Sequence, residues 1–347
     1  MHIKFILPRF HTNMFYPTKL LLKNNFRVSI DCAYRGFNEN YSLIKSKVIE
    51  ESLITKIFKK FTTNKMNKYY LPKIGTYLKH FKKNVPDIII IRPYNFLFFF
   101  LILILSILYK RKLIIYNQIE IKQIKNYDFF KKCFLWFITD IMKIKIVSPL
   151  FIKEILSDKY FLLPFVYKTS FKQKKRKFDF LLVGKLYKKK NFELFLKALN
   201  ISKKKYLTKL VLEVSNHEHR NQLKILINLI QKYKLKKYVK YSINVKHEDV
   251  SNYYDNSKCF ILATDGDLAP VSIIEALSRG CYVLASDKCG TKKYINPKNN
   301  GLIFKANDVN SLKNGMTKIS KIFKKKLNNY NYDEKFFLNK FKQIIKN

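Results

Sequence analysis

Two carboxylates, Asp267 and Glu275, have the types and spacing most suggestive of chemistry in this chain. They lie in Asp265–Ser286, DGDLAPVSIIEALSRGCYVLAS, just after the apolar run Cys259–Leu262. Pro270 suits the first turn of a helix. Ser272, Glu275 and Arg279 then share a polar stripe at spacings of three and four, while Ile273, Ile274 and Leu277 face inward. A carboxylate one turn inside a helix can accept both hydroxyls of a ribose. The first-turn N–H groups can hold phosphate, and Asp267 in the preceding loop can reach sugar hydroxyls. The plainer alternative is an exposed Glu275–Arg279 pair contributing about 0.3–0.5 kcal/mol.

A second cluster, FDFLLVGKLYKKKNFELFLKAL, places Lys185 directly after Gly184 and Lys190 just before Asn191. Asn191 suits a helix N-cap, and Phe192, Phe195, Leu196 and Leu199 keep helical spacing. Glycine lets backbone approach a ligand closely. Two ammonium groups at the mouth of a strand–helix unit can neutralise a diphosphate. The pattern G-x-x-x-x-G-K-[ST] is absent, so this is not a Walker loop. The alternative is a solvated loop in a lysine-rich chain.

The elements that must position these groups alternate along the chain. IKFIL, RVSI, DIIII, KLIIY and KIKIVS are short β-rich runs, separated by helix-length segments Thr12–Lys23, Leu43–Phe61, Phe96–Leu108 and Tyr127–Ile138. FDFLLVG, KLVLEVS, KYVKYS, KCFILA and CYVLAS repeat the habit, with helices at Asn191–Leu199, His217–Tyr233, His247–Asn256, Val271–Arg279 and Val309–Lys326. Near-continuous apolar strands alternating with helices imply parallel sheets covered on both faces. The expected architecture is α/β, with two Rossmann-like, doubly wound domains facing across a cleft. Residues 1–167 would form the first domain, the basic segment 168–177 a linker, and 178–330 the second domain. A C-terminal helix within 331–347 would be placed to pack back on the first domain. Ligands of such sheets bind beyond the carboxyl ends of the strands, where both clusters fall.

With 347 residues, 48% of them apolar, the chain can bury two cores, and 69 Lys plus Arg against 24 Asp plus Glu point to anionic partners. Lysines spread along the whole chain, in company with abundant Asn, Ile, Phe and Tyr, also fit simple composition bias. The five cysteines are scattered, with no C-x-x-C, and read as reduced, mostly buried thiols of a cytoplasmic protein. The opening MHIKFILPRFHT reads as a first strand, its apolar core being short for a signal peptide. Phe96–Leu108 is shorter than the roughly 20 residues a membrane span needs. It reads as a buried helix or, with Lys110, Arg111 and Lys112 behind it, as a surface that dips into anionic lipid. No zinc-finger spacing or RNA-binding aromatic pattern supports specific nucleic-acid binding; a basic nucleic-acid-binding protein rests on charge alone.

The order G-K-L-x-x-x-K, D-x7-E-A-L-S-x-G-x-x-V-L-A-S, G-T-x-x-Y-I and N-N-G-L-I-F resembles the C-terminal half of family 4 glycosyltransferases. These are retaining, nucleotide-sugar-dependent enzymes of the GT-B fold. The wording of APVSIIEAL is closest to members that build capsule, lipopolysaccharide O-antigen and other surface polysaccharides. The resemblance covers roughly residues 179–304, with an echo in ILPRFHTN, DIIIIRP and IIYNQ. It implies a hexosyltransferase-like enzyme that moves sugar from a nucleoside diphosphate sugar to a lipid-linked or oligosaccharide acceptor. By the same resemblance, Lys185 and Lys190 would contact the diphosphate, Asp267 the donor sugar and Glu275 the ribose. Gly184 and the backbone of Pro270, Val271 and Ser272 would line the phosphate site. Asp267 stands where the family has Glu, and Lys185 where it has Arg, which loses bidentate phosphate contact but not charge. The glycine turn after the first strand is replaced by Arg9, His11 and Asn13, making His11 the first-domain candidate. Asp265-Gly-Asp267 is also literally D-x-D, the metal-holding signature of another glycosyltransferase class. That class is a single nucleotide-binding fold, so the expectation is no metal and no cofactor. An inactive, scaffold-like relative is the alternative. The expected location is the cytoplasm, peripherally at the inner face of the cell membrane.

Overall fold

The computed structural model describes residues 1–35, 44, 46–61, 71–151, 158–170, 175–323 and 332–346. In chain order the first elements are β1 (His2–Leu7), α1 (Thr12–Lys23), β2 (Arg27–Cys32), β3 (Lys47–Val48), α2 (Leu53–Phe61), α3 (Ile74–Lys83) and β4 (Ile88–Ile91). Then come α4 (Phe96–Leu108), β5 (Lys112–Tyr116), α5 (Ile121–Lys125), α6 (Phe129–Trp136), β6 (Lys145–Ser148) and β7 (Tyr160–Leu162). They continue as β8 (Phe178–Lys185), α7 (Phe192–Asn200), β9 (Thr208–Glu213), α8 (His217–Lys232), β10 (Val239–Ile243), α9 (His247–Asp255) and β11 (Ser257–Leu262). The chain closes with α10 (Ser272–Ser278), β12 (Tyr282–Ser286), β13 (Gly301–Phe304), α11 (Val309–Lys321) and α12 (Glu334–Lys346).

Two compact units result, Met1–Val166 with Lys335–Asn347, and Tyr167–Glu334. The first holds a seven-stranded sheet in the order β3-β2-β1-β4-β5-β6-β7. Every residue of β1 and β4 is buried, as a parallel strand with covered faces requires. Lys4 in the middle of β1 is buried too, and burial lowers its pKa against the pull of Asp31 on β2, 3.4 Å away. The last helix completes this unit: Lys145 and Lys112 donate to the carbonyls of Ile344 and Ile345, both at 2.9 Å. These contacts satisfy acceptors that a helix C-terminus leaves open.

The second unit holds a six-stranded sheet in the order β10-β9-β8-β11-β12-β13. Its core joins Phe180 and Leu182 of β8 to Phe195 and Leu199 of α7 and to Met316 of α11. The basic segment expected as a linker is partly fastened to this unit. Ser170 N–H donates to the Ser278 carbonyl at 2.9 Å, and the Arg176 guanidinium donates to the Arg279 carbonyl at 2.7 Å. Residues 171–174 of that segment lie outside the described residues.

Where the sequence suggested one helix over Leu43–Phe61, the chain instead pairs Lys47–Val48 with Asp31–Cys32 and starts α2 at Leu53. Residues 43 and 45 are outside the described residues. The helix α3 was not anticipated, because it buries only Tyr77 and Phe81, too sparse a stripe to announce itself. The strand β13 begins at Gly301 because a Cβ there would sit 2.2 Å from the Val283 carbonyl oxygen across the β12–β13 ladder. Gly301→Ala is therefore expected to destabilise the chain by about 1–3 kcal/mol in chemical denaturation. Gly75→Ala, where a Cβ meets nothing within 4 Å inside α3, should be neutral or mildly stabilising in the same measurement.

Candidate active site

Three loops at the carboxyl ends of β8, β11 and β12 meet in the second unit. The lysine loop leaves β8 through Gly184 and Lys185 and turns as a short 3-10 helix over Lys188–Lys190. The acidic loop is tied to it through one backbone carbonyl: Asp265 N–H and the Thr264 hydroxyl both donate to the Lys189 carbonyl, at 2.8 and 3.1 Å. Side chains complete the join, with Lys190 Nζ 2.6 Å from Asp267 Oδ2. This is a charge-assisted hydrogen bond between largely covered groups. Lys185 Nζ lies 2.9 Å from Glu213 Oε1 at the end of β9. At Gly184 the nearest atom to an added Cβ would be the flexible Lys190 side chain at 3.8 Å, an ordinary van der Waals contact, so the Lys190 stem lies directly against this turn.

The third loop fixes the height of Asp267. Asp267 forms a parallel bridge with Cys289, and Gly290 N–H donates to the Asp267 carbonyl at 2.9 Å. A Cβ on Gly290 would stand 1.8 Å from the Leu268 carbonyl oxygen, so only glycine permits this approach. Thr291 donates its hydroxyl to the Pro270 carbonyl at 3.1 Å. Burial pushes the Cys289 thiol up to about 11, which keeps it protonated and structural rather than nucleophilic.

The polar stripe expected on α10 is resolved differently. Pro270 precedes the helix, Val271 is its N-cap and Ser272 its first residue. Glu275 is only 7% exposed. Tyr254 donates its hydroxyl to Glu275 Oε2 at 3.0 Å, and His247 Nε2 stands 3.7 Å from Oε1, an ion-pair distance rather than a hydrogen bond. Glu275 raises the His247 pKa above its ordinary 6.5 despite burial, and Glu248 acts in the same direction. Burial, reinforced by Glu275, holds the Tyr254 phenol well above its ordinary value, so it remains a donor. Arg279 does not pair with Glu275 at all: it bonds Asp255 at 3.1 and 3.4 Å, and both are buried. The exposed Glu275–Arg279 pair is thus excluded by tertiary partners.

Asn191 occupies the N-cap position of α7 but makes no capping hydrogen bond there; its backbone is left-handed and its amide reaches Asn307 at 2.9 Å. His11 lies in the first unit as the N-cap of α1, where Nδ1 accepts from the Asn13 N–H at 3.4 Å. Among the described residues no three His, Cys, Asp or Glu side chains gather as a metal site. Glu213, His247 and Tyr254 were not singled out in the sequence. Glu213 ends a strand and could have been found by the strand-end rule, whereas nothing local marks His247 or Tyr254 as neighbours of Glu275.

Residues 166–335 match the family model Glycosyl transferases group 1. An uncharacterized glycosyltransferase of Haemophilus influenzae is 27% identical over 139 residues, which are 39% of this chain and 37% of that protein. The chain thus matches little more than a third of the length of that relative. Among solved structures, Anabaena HepE in complex with UDP and glucose is similar with a TM-score of 0.67 at 11% identity, over 100% of this chain and 99% of that one. A glycosyltransferase from Rickettsia africae gives 0.67 at 15% identity, over 100% and 99%. Sucrose-phosphate synthase from Thermosynechococcus elongatus gives 0.63 at 14%, over 100% and 98%. At these identities the structures speak for the fold: two parallel-sheet α/β domains of the kind found in GT-B enzymes. The sequence match adds that residues 166–335, which contain the whole second unit, are similar to the glycosyl transferases group 1 family.

Proposed function

We propose that the chain transfers a sugar from a nucleoside diphosphate sugar to a hydroxyl of a lipid-linked glycan in surface polysaccharide synthesis, with retention at the anomeric carbon and without a metal. The observation that carries this reading is the joining of Lys190 and Asp267 at 2.6 Å, in the same segment as the buried Glu275 and inside the family match. As the bond from the anomeric carbon to the diphosphate breaks, charge grows on the leaving phosphate and a partial positive charge grows on the sugar. Lys185 and Lys190 would neutralise the first, aided by the first-turn N–H groups at Val271 and Ser272. Asp267 would face the second. Glu275, held at one oxygen by Tyr254 and near the other by His247, would accept the ribose hydroxyls. Binding of UDP and glucose by HepE supports a uridine donor for such a fold. Two lipopolysaccharide enzymes of similar fold, WaaB and WaaG, support the acceptor class. A peripheral place at the inner face of the cell membrane fits such an acceptor and the basic surface.

Donor binding checks the reading directly. A cognate nucleoside diphosphate sugar at 100 times its Kd should add about 2.7 kcal/mol of stability, visible as a rise in Tm that EDTA leaves unchanged. Glu275→Gln should weaken that binding at least about tenfold, since a hydrogen bond to a charged group contributes about 1.5–3 kcal/mol. No rise with any of the UDP, GDP, ADP or CMP sugars would overturn the reading, and a rise abolished by EDTA would restore the D-x-D metal reading.

The Lys190–Asp267 pair predicts a split in kinetics. The diphosphate and Asp267 compete for the same ammonium group, so Asp267→Asn releases Lys190 to the donor. Donor KM should stay level or fall while kcat drops at least about tenfold. A rise in KM with kcat preserved would show that Asp267 serves only to hold Lys190.

The Glu275–His247 pair predicts a pH dependence. His247 binds its proton more tightly in the folded chain, so the stability it contributes is fully present below its ordinary 6.5. That stability is lost as pH rises through the folded value. Denaturation of the native chain and of His247→Gln should differ most at acid pH and converge at alkaline pH.

A further inference from the structure

We propose that the outward faces of α4 and α6 in the first unit form a docking surface for an anionic lipid bilayer. This deepens the membrane part of the reading above and stands apart from the donor site. On α4 the side facing away from the sheet carries Phe96, Leu97, Ile104 and Leu108, each at least half exposed, while Phe98, Phe99, Ile102 and Leu103 on its other side are buried. On α6, Phe129 and Phe130 are 74% and 83% exposed and Trp136 is 56% exposed, and none of this helix is buried. The two helices meet through Phe134, whose ring is 5.8 Å from those of both Phe96 and Phe100, so the exposed apolar residues of α4 continue onto α6. Monomeric proteins seldom leave a contiguous apolar area of bulky rings open to water.

Charge identifies the occupant. The helix α4 contains no charged residue. Lys110 follows it, Lys122 and Lys125 lie on α5, and Lys132 lies on α6, all exposed. The acids nearby are already engaged, Asp128 by Lys131 and Asp140 by Lys159. An apolar area bordered by unopposed lysines matches acyl chains beneath anionic headgroups. It does not match a second copy of a chain with formal charge +45, because the lysine rims would then face each other. No helix among the described residues is long and apolar enough to cross a membrane, so contact would be from one side. An aromatic side chain with one polar edge, such as Trp136, suits the depth of the headgroups.

Trp136 is the single tryptophan of the sequence, so its emission reports on this surface alone. The full chain is titrated with phosphatidylcholine vesicles with and without phosphatidylglycerol, at low and high salt, following co-flotation and Trp136 emission. Expected are flotation with the anionic vesicles, a blue shift, quenching by brominated acyl chains, and a bound fraction that survives high salt. The double variant Phe129→Ser, Phe130→Ser should lower vesicle partitioning at least about tenfold, while the donor-induced rise in Tm is unchanged. Flotation without a change in Trp136 emission, or equal flotation of the variant, would overturn this surface while leaving membrane association by another route. No flotation at all would overturn both. A blue shift without lipid that grows with protein concentration would assign the surface to a second copy. Loss of the donor-induced rise alone would count against the enzymatic reading and not against this one.

Discussion

The 2.6 Å contact between Lys190 and Asp267 joins two loops that lie 77 residues apart in the chain. Other features of the site follow from holding those loops together. The Lys189 carbonyl collects the Thr264 hydroxyl and the Asp265 N–H, so one backbone acceptor pins the loops beside the Lys190–Asp267 contact. Gly290 exists as glycine because the Leu268 carbonyl occupies the space of its Cβ. The ladder of β8, β11 and β12 supplies the rigid base, since parallel neighbours end in register and present their loops on one edge. A site assembled from strand ends is held more tightly than one built on a single free loop.

Glu275 shows a different balance. A carboxylate at 7% exposure is costly to bury unless it has partners, and Tyr254 and His247 supply them. Both come from α9, which therefore serves the site without ending at it. The neighbouring Arg279–Asp255 pair links α10 to α9 again, and Arg176 caps the same region by donating to the Arg279 carbonyl. Breaking one partner of such a buried pair is far more damaging than losing a surface ion pair, because the remaining charge is left uncompensated.

The large positive charge is distributed unevenly in its consequences. At the candidate site both principal lysines already face carboxylates, Lys185 with Glu213 and Lys190 with Asp267. An anion binding there would share cations that are pre-positioned rather than gather loose ones, and preorganised charge is what stabilises developing charge most effectively. Around α4 and α6 the nearby acids are taken up and the exposed lysines stand beside bulky apolar groups. The same residue type thus meets two electrostatic environments, decided by where carboxylates fall in three dimensions.

Much of the architecture could be read from local pattern. Runs such as DIIII and CYVLAS are short and have no polar face, which suits parallel strands covered on both sides, and their alternation with helices points to the α/β class. The strand-end rule then located Gly184, Lys185, Lys190, Asp267 and Glu275 on one edge of the second sheet. What the sequence could not convey was pairing between distant segments. The stripe through Ser272, Glu275 and Arg279 looked solvated, yet Glu275 and Arg279 are buried against α9 by partners that no local spacing encodes. Lys47–Val48 lay inside an expected helix and became a strand because β2 offered it an edge. Periodicity by itself determined which faces of the elements are apolar, since that depends on neighbours three or four residues away. Only the tertiary structure decided which charges meet, because an ion pair depends on separations of a few ångströms between groups that sequence distance does not constrain.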